Sequence, residues 1–245
     1  MLNMIAKHLK LIMPFCLIFM TSLAFGADLL SQGLEAQKAG KNKEAVDLLS
    51  KYLKDHPDAA PARQALALAL AALEHRPEAL EEVNRGLKAH PNDAGLLLTQ
   101  GTILMELERR PEAIAIFTKV LDQNPKNVEA LKERGDSLAQ EGRFAEAQKD
   151  YDRAVALAPK DPWIFFKRGM GYFCQAKYQE AVGDFSAAIK LAPDRPLFYF
   201  ARAQIYHLHL NQKDKAVADF QEGCRLGHPL CCQELEKMGI APIKK

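Results

Sequence analysis

Residues 162–195 decide the fold, and they read PWIFFKRGMGYFCQAKYQEAVGDFSAAIKLAPDR. Two apolar stretches are separated by a polar link, and Pro193 closes the second one. The first contains Gly169, and in the second Ala181 is followed four positions later by Phe185. Glycine inside a helix costs about 1 kcal/mol relative to alanine, and close approach of two helices is a reason to keep it. The stretch therefore predicts two closely packed helices, the second ended by its proline.

The same pattern recurs with a period of 34 residues over five consecutive segments. Each segment has a small residue in its first helix, an alanine and then a large residue in its second helix, and a closing proline. The small residues are Gly33, Ala67, Gly101, Gly135 and Gly169. The alanines are Ala45, Ala79, Ala113, Ala147 and Ala181, the large residues are Leu49, Val83, Phe117, Tyr151 and Phe185, and the prolines are Pro57, Pro91, Pro125, Pro159 and Pro193. A fixed period of this length predicts stacked helix pairs that bury their apolar faces against one another.

The pattern resembles the tetratricopeptide repeat family, whose units are antiparallel helix pairs of 34 residues. The resemblance covers residues 26–59, 60–93, 94–127, 128–161, 162–195 and about 196–230. In the last unit Ala216 and Phe220 come one residue late, so we expect an insertion in the turn after Tyr206. The resemblance implies an all-α fold, a right-handed superhelical solenoid of about six antiparallel helix pairs with a C-terminal capping helix. We expect the solenoid over residues 27–228 and the cap and tail over 229–245.

Residues 1–26 are typical of an export signal. Lys7 and Lys10 give a basic start, an apolar run follows, and Ala24 and Gly26 offer a cleavage site before Ala27. An uncleaved membrane anchor is the alternative, but the run is short for a span of about 20 residues and Pro14 interrupts it. We expect a periplasmic or secreted protein, with membrane contact only if the leader stays in place.

Composition and charge argue against a nucleic-acid-binding protein. The chain is 48% hydrophobic and 26% charged, which is ordinary for a globular protein. Its 33 basic and 31 acidic residues leave a net charge of +2, and Lys7 and Lys10 of the leader account for both positive charges. Nucleic acid is therefore not an expected partner, since phosphate binding needs an excess of Lys and Arg.

The sequence contains no pattern typical of an enzyme. The seven histidines form no HExxH helix, and the chain has neither a phosphate-binding loop nor a nucleophile elbow. His56 and His90 precede closing prolines and are interpreted as turn residues. His207 and His209 are interpreted as solvated loop residues, because two ligands do not make a metal site. We expect no catalysis, no cofactor and no metal.

Four cysteines follow the leader, which itself contains Cys16: Cys174, Cys224, Cys231 and Cys232. Cys224 occupies an apolar register of the second helix, so it could serve as a small core residue. The segment GCRLGHPLCC (223–232) also resembles the terminal element of exported tetratricopeptide and Sel1-like proteins. That resemblance implies a disulfide from Cys224 to Cys232, or to Cys231, across a turn that Gly227 permits. Cys174 is expected to stay a thiol.

The first helix of the fifth unit is apolar on two faces. At about 100° per residue, Phe165, Gly169 and Tyr172 share a stripe that is expected to pack. Trp163, Phe166, Met170 and Phe173 share another stripe, which the family uses as its concave groove. The sixth unit adds Leu197, Phe200, Leu208, Gln204 and His207 to this surface, and the fourth contributes a polar floor that includes Lys132 and Asp136.

An exposed aromatic patch beside polar residues usually marks an interaction site. We therefore expect a non-enzymatic scaffold of the cell envelope that holds a peptide or a partner helix. The predicted partner-binding residues are Trp163, Phe166, Met170, Phe173, Leu197, Phe200, Gln204, Lys132 and Asp136. The alternative is a structural role, in which the same patch forms a homodimer, docks permanently into an envelope complex or is covered by the tail.

Overall fold

The computed structural model describes residues 28–241, and its secondary structure there is entirely α-helical. The export signal over 1–26, Cys16 and the cleavage site before Ala27 lie outside the described residues. Thirteen helices follow one another. They are α1 (28–38), α2 (Asn42–Asp55), α3 (Ala60–Ala72), α4 (Arg76–Ala89), α5 (Ala94–Glu106), α6 (Arg110–Gln123), α7 (Val128–Gln140), α8 (Phe144–Leu157), α9 (Pro162–Cys174), α10 (Tyr178–Leu191), α11 (Pro196–Leu208), α12 (Lys213–Arg225) and α13 (Pro229–Lys237).

The predicted all-α repeat of helix pairs is confirmed. Odd-numbered helices from α1 to α11 are the first helices of the units, here called helix A, and the even-numbered ones that follow are helix B. Within residues 28–241 no helix is both long enough and apolar enough to cross a membrane. The chain divides into two compact units, unit 1 up to Arg109 and unit 2 from Arg110 onward, so the division falls between α5 and α6.

Helix boundaries follow local sequence signals. Each helix B from α2 to α10 ends two residues before its closing proline, as α10 does at Leu191 before Pro193. The α5, α7 and α9 helices begin with an N-cap side chain that accepts a backbone hydrogen bond, supplied by Asp93, Asn127 and Asp161. These caps satisfy amide groups that have no partner inside the helix.

Unit 1 is packed mainly with small and aliphatic side chains. Ala45, Leu49 and Ala62 are buried between α2 and α3, and Ala79 and Val83 are buried between α4 and its neighbours in the same unit. Arg63 of α3 donates to Glu82 of α4, which joins the two helices by an ion pair. The helix A and helix B of this region approach closely because their facing residues are small.

Unit 2 is packed around aromatic residues. Phe117, Tyr151, Phe185 and Phe220, each four positions after an alanine of helix B, are fully or almost fully buried. A Cβ atom added to Gly169 would lie 2.7 Å from Cε1 of Phe185. The glycine is therefore required by the ring that faces it, as the repeat pattern predicts.

A ladder of buried ion pairs joins helix A to helix B in the last three repeats, which are α7 with α8, α9 with α10, and α11 with α12. Its pairs are Arg134 with Asp150, Arg168 with Asp184, and Arg202 with Asp219. In every pair Nε and Nη2 of the arginine donate to the two carboxylate oxygens at 2.7 to 2.8 Å. The third nitrogen, Nη1, donates to the preceding helix B, at Thr118, Asp152 and Ser186 respectively. Hydrogen bonding to the paired carboxylate raises the pKa of Arg134 and of Arg168, so these groups stay charged.

The packing of α9 differs from the predicted stripe. Gly169 is buried as expected and Tyr172 packs against the cluster that contains Phe185, but Phe165 and Tyr172 are only partly buried and lie 5.7 and 6.0 Å from the Arg168 guanidinium. The buried residues are Ile164, Gly169 and Gly171. The contact face is rotated because α9 packs against both α8 and α10, and the residue angles on one helix do not show where two neighbours meet it.

The end of unit 2 is closed by α13, which packs on α12. Phe220, Cys231 and Leu235 are buried together there, and the ring of His228 stacks on Phe200 at 4.8 Å between centroids. The insertion predicted after Tyr206 lies in the link 209–212, where the Gln212 amide donates to the Tyr206 carbonyl at 2.8 Å.

Candidate partner-binding groove

An apolar cavity of about 320 Å³ lies between α9, α10 and α11 in unit 2. We call it the apolar cavity. Eleven residues line it: Phe166, Met170, Phe173, Phe185, Leu197, Phe200, Ala201, Gln204, Ile205, Leu208 and His209. Six of the nine predicted partner-binding residues are among them, namely Phe166, Met170, Phe173, Leu197, Phe200 and Gln204.

Helical spacing places the walls of this cavity. Phe166, Met170 and Phe173 follow one another at intervals of four and three along α9, so they lie on one face of that helix. Leu197 and Leu208 stand near opposite ends of α11. The Met170 side chain is 39% exposed and that of Leu208 is 63% exposed, so the rim offers large apolar groups to solvent.

Phe166 is both a wall of the cavity and a part of the core. Its ring lies 5.5 Å from that of Phe185 and 5.2 Å from that of Phe198, and both of those rings are buried. The Trp163 ring packs edge-on against the Phe166 ring at 5.8 Å between centroids. Trp163 remains 38% exposed and does not line the cavity. The predicted aromatic stripe therefore runs from solvent at its N-terminal end into the core.

Two polar side chains, Gln204 and His209, interrupt the lining. The Gln204 amide forms no hydrogen bond with any residue of the range 28–241. The His209 ring stacks on Tyr178 at 4.1 Å and meets Phe173 edge-on at 5.5 Å. His209 is exposed and lies in the link after α11, as predicted for a loop residue, and these ring contacts hold it against the cavity wall. His207 lies within α11 and not in a loop, contrary to the prediction. His207 does not line the cavity; its ring lies 6.4 Å from that of Phe220.

Lys132 and Asp136 do not line the apolar cavity. Lys132 Nζ lies 2.9 Å from Glu129 and 3.8 Å from Asp161, while Asp136 accepts a hydrogen bond from the Tyr151 hydroxyl at 2.6 Å. Asp136 is also paired with Lys167 of α9. The polar floor is therefore a network of charges that are already matched within the protein.

Electrostatics within that network follow from burial. Burial raises the pKa of Glu133, and the neighbouring carboxylates of Asp136 and Glu129 raise it further while Lys167 opposes them. Burial also raises the pKa of Tyr151, so its hydroxyl remains a hydrogen-bond donor to Asp136. The network joins α7 to α9 through the pair of Asp136 with Lys167.

Five lining residues are not among the predicted partner-binding residues, and one of them, Leu208, was assigned to the same surface by the sequence. Phe185 and Ile205 were missed because both are core residues at their registers, each only 1% exposed. Ala201 carries no signal beyond helical spacing. His209 could have been suspected from the one-residue delay of Ala216, which marks the altered turn that brings this ring next to Tyr178.

The four cysteines within residues 28–241 comprise one pair and two free thiols. Cys224 and Cys232 are joined in the structure with their Cα atoms 4.9 Å apart, and Gly227 between them has a φ of +93°. Cys174 is free and exposed, and Cys231 is free and buried. Within residues 28–241 no group of three His, Cys, Asp or Glu side chains is placed to hold a metal ion.

Comparisons with known proteins agree with the geometry. A family model described as "Tetratricopeptide repeat" matches residues 98–162 and 166–227, and a second of the same description matches residues 36–100. A search of the curated proteins finds no match.

Among solved structures, pilF of Pseudomonas aeruginosa superposes with a TM-score of 0.73 at 19% identity, over 87% of this chain and 97% of that one. A tetratricopeptide repeat protein of Parabacteroides merdae gives a TM-score of 0.69 at 23% identity, over 87% and 83% of the two chains. MamA of Desulfovibrio magneticus RS-1, from residue 41 to its end, gives 0.62 at 20% identity, over 69% and 95%. At these identities the likeness shows a shared fold.

Proposed function

Because the chain belongs to the tetratricopeptide repeat family, whose members generally mediate protein–protein interactions, we propose that it is a non-enzymatic scaffold of the cell envelope. Its partner inserts apolar side chains of an extended peptide or a helix into the apolar cavity. The observation that carries this proposal is the cavity itself, with Met170 and Leu208 exposed at its rim.

The size and chemistry of the cavity suit such a ligand. At about 320 Å³ it lies near the lower end of the range for binding pockets, so it accommodates one or two large side chains and not a long segment. Apolar anchors that enter a pocket of this kind dominate the energy of many interfaces. An amphipathic helix with anchors three or four residues apart would match the cavity.

Gln204 supplies the polar element of recognition. Its amide has both a donor and an acceptor free of partners within residues 28–241, and it lies among apolar walls. A peptide bond of the partner could satisfy both groups. This would orient the bound segment, since an unpaired polar group buried at an interface costs about 1 to 3 kcal/mol.

Export places this scaffold in the envelope. The basic start at Lys7 and Lys10, the apolar run and the small residues Ala24 and Gly26 support cleavage before Ala27. The intact mass of protein extracted from the envelope tests this. A mass that begins at Ala27 is expected, and a mass that retains residues 1–26 would favour the anchored alternative.

Site-specific photo-crosslinking tests the binding site. A photoreactive phenylalanine analogue would replace Met170 or Leu208, and in a matched control it would replace Leu191, which is 39% exposed but does not line the cavity. In cells that make the protein, we expect adducts from the two cavity positions and none from the control. The crosslinked segment of the partner is then synthesised, and its affinity is measured for the wild-type protein and for Met170→Lys.

The expected result is at least a tenfold loss of peptide affinity in Met170→Lys, with unchanged urea unfolding, because the side chain is at the rim. Phe166 is a poorer choice for this test because it also packs on Phe185. Adducts with a second copy of the chain would favour the homodimer alternative, which light scattering checks. Equal adducts at Met170 and Leu191 would refute the proposed site.

A further inference from the structure

A second cavity, of about 310 Å³, lies between α6, α7 and α8. We call it the basic cavity. It is lined by Ile114, Thr118, Arg134, Leu138, Arg143, Glu146, Lys149, Asp150 and Arg153. None of these residues lines the apolar cavity, so the two are separate features of unit 2.

The basic cavity has an excess of positive charge. Its four cationic side chains, from three arginines and Lys149, face two carboxylates, those of Glu146 and Asp150, so the formal balance is four minus two, or +2. Glu146, Lys149, Asp150 and Arg153 lie at intervals of three, one and three along α8 and thus share one face of that helix. The charges therefore converge on one space.

Internal pairing uses only part of this charge. Arg134 is bonded to Asp150 and Thr118, and Arg143 is bonded to Glu146 through two nitrogens at 2.7 Å. Arg153 donates to the carbonyl of Pro125 at 2.7 Å, and its Nη1 lies 3.9 Å from Oδ1 of Asp150. Lys149 forms no hydrogen bond and no salt bridge with any residue of the described range. Its ammonium group thus has three donors available to a ligand.

The neighbouring units provide two internal comparisons for the same recess. Leu138 lines the basic cavity. At the equivalent position, the next two 34-residue repeats have Tyr172 and Tyr206. The Tyr172 ring lies 6.0 Å from Arg168 and 5.9 Å from Lys177. The Tyr206 ring is likewise placed 5.9 Å from Arg202. In these two repeats an aromatic ring therefore lies against the cations. The basic cavity has Leu138 at this position, so among the described residues its cations have no ring against them.

At the positions equivalent to Lys149 and Arg153, the next two repeats have no cationic side chain. Lys149 corresponds to Gly183 and to Ala218, whereas Arg153 corresponds to Ala187 and to Glu222. The Arg134 partner on the preceding helix B is the neutral Thr118, as Ser186 is for Arg202, and only Arg168 has a carboxylate there, that of Asp152. The repeat architecture does not require a cationic recess, so this one is particular to α6, α7 and α8.

We propose that the basic cavity binds a small organic dianion, recognised by Lys149 and Arg153 and by contact of its apolar part with Ile114 and Leu138. Cationic side chains form their strongest hydrogen bonds with phosphate and carboxylate oxygens. A charge of minus two would balance the local excess. The ligand would have to be short, because the volume is only about 310 Å³.

Calorimetric titration of the full-length protein at low ionic strength tests the proposal. The probes are phenyl phosphate, inorganic phosphate and succinate, so the comparison separates a phosphate ester from a dicarboxylate and measures the contribution of the apolar part. We expect phenyl phosphate or succinate to bind, and added salt to weaken the binding because exposed charges are screened. No binding of any probe at millimolar concentration would overturn the proposal.

Variants place the site. Lys149→Glu is expected to weaken binding about tenfold or more, whereas the matched change Lys160→Glu at an exposed position outside the cavity leaves it within about twofold. Leu138→Tyr introduces the residue of the neighbouring units and is expected to abolish binding by filling the recess. Wild-type affinity in both Lys149→Glu and Leu138→Tyr, or an equal loss in Lys160→Glu, would refute the site. Circular dichroism checks that each variant is folded.

Discussion

The α3 helix of unit 1 and the α9 helix of unit 2 occupy the same place in their repeats, yet they bury different things. Both have 13 residues and a proline in the first turn. The sequence of α3, APARQALALALAA, buries four alanines and one leucine, whereas PWIFFKRGMGYFC of α9 buries only Ile164, Gly169 and Gly171. The helix with the larger apolar side chains has fewer buried residues.

The difference shows how a repeat protein makes a binding surface. A helix pair has limited space between its neighbours, and alanines and glycines fill the closest contacts in both units. The large side chains of α9 exceed what the core can hold, so Trp163 and Met170 remain partly exposed and Phe166 forms a wall of the apolar cavity. Surplus apolar volume, not a special motif, generates the candidate site.

The largest expected effect is on the core under the apolar cavity. Phe185→Ala should lower the free energy of unfolding by about 3 to 5 kcal/mol, because Phe185 is 1% exposed and its loss leaves a cavity. Val83→Ala, at the same register of unit 1, should cost about 2 kcal/mol, since fewer atoms are removed. Urea unfolding followed by circular dichroism measures both. Equal losses would mean that aromatic packing does not distinguish the units.

Breaking the ion-pair ladder should have the next largest effect. Arg168→Ala leaves the buried carboxylate of Asp184 without its partner and should cost about 3 kcal/mol. The third 34-residue repeat, residues 94–127, has Gln100 at the position of Arg168 and Ile116 at the position of Asp184. The double variant Arg168→Gln with Asp184→Ile should therefore recover most of the lost stability in urea unfolding. A double variant less stable than Arg168→Ala would contradict this explanation.

Unit 2 also differs in placing Cys224 and Cys232 next to each other, whereas residues 28–109 of unit 1 contain no cysteine. We predict that Cys224 and Cys232 are oxidised in the exported protein. Cys232→Ser should then cost about 2 to 3 kcal/mol, the chain-entropy value for a loop of this length. Peptide mapping without reduction identifies the bond, and urea unfolding measures its contribution. Four unmodified thiols in protein from the envelope would refute the prediction.

Close helix contacts should respond differently in the two units. In Gly169→Ala the new Cβ meets the rigid ring of Phe185, and the expected loss is about 1 to 3 kcal/mol. In Gly33→Ala it meets Cδ2 and Cγ of the buried Leu49 at 2.7 and 2.8 Å, an aliphatic side chain smaller than a ring, and the gain in helix propensity of about 1 kcal/mol offsets part of the cost. Thermal unfolding of the two variants compares them. A larger loss for Gly33→Ala would reverse the interpretation.

The smallest effect concerns reactivity. Burial raises the pKa of the Cys231 thiol to about 12, with smaller contributions from Asp219 and Glu234, so almost no thiolate forms at pH 8. Iodoacetamide at that pH should label the exposed Cys174 and spare Cys231 until urea opens the helices that bury it. Mass spectrometry of labelled peptides records both rates. Equal labelling in the folded protein would show that α13 does not cover this thiol.

Much of the fold could be predicted because a 34-residue period repeats the same constraint several times. The columns of alanine, glycine and aromatic residues mark the helix contacts, and six of the nine predicted site residues line one cavity. Lys132 and Asp136 were predicted from helical angle alone. The structure pairs Lys132 with Glu129 one turn earlier on the same helix and Asp136 with Lys167 of α9, so both charges are matched within the protein.

The sequence by itself determined the helices, their pairing and the apolar surplus on α9, since all three follow from local periodicity and residue size. Tertiary structure decided how deeply each side chain is buried. Phe166 and Trp163 share a stripe, yet one packs on Phe185 and the other stays outside the apolar cavity. The open recess at Leu138 likewise depends on three helices meeting there. Periodicity gives an angle around one helix, whereas burial depends on the distances to its neighbours.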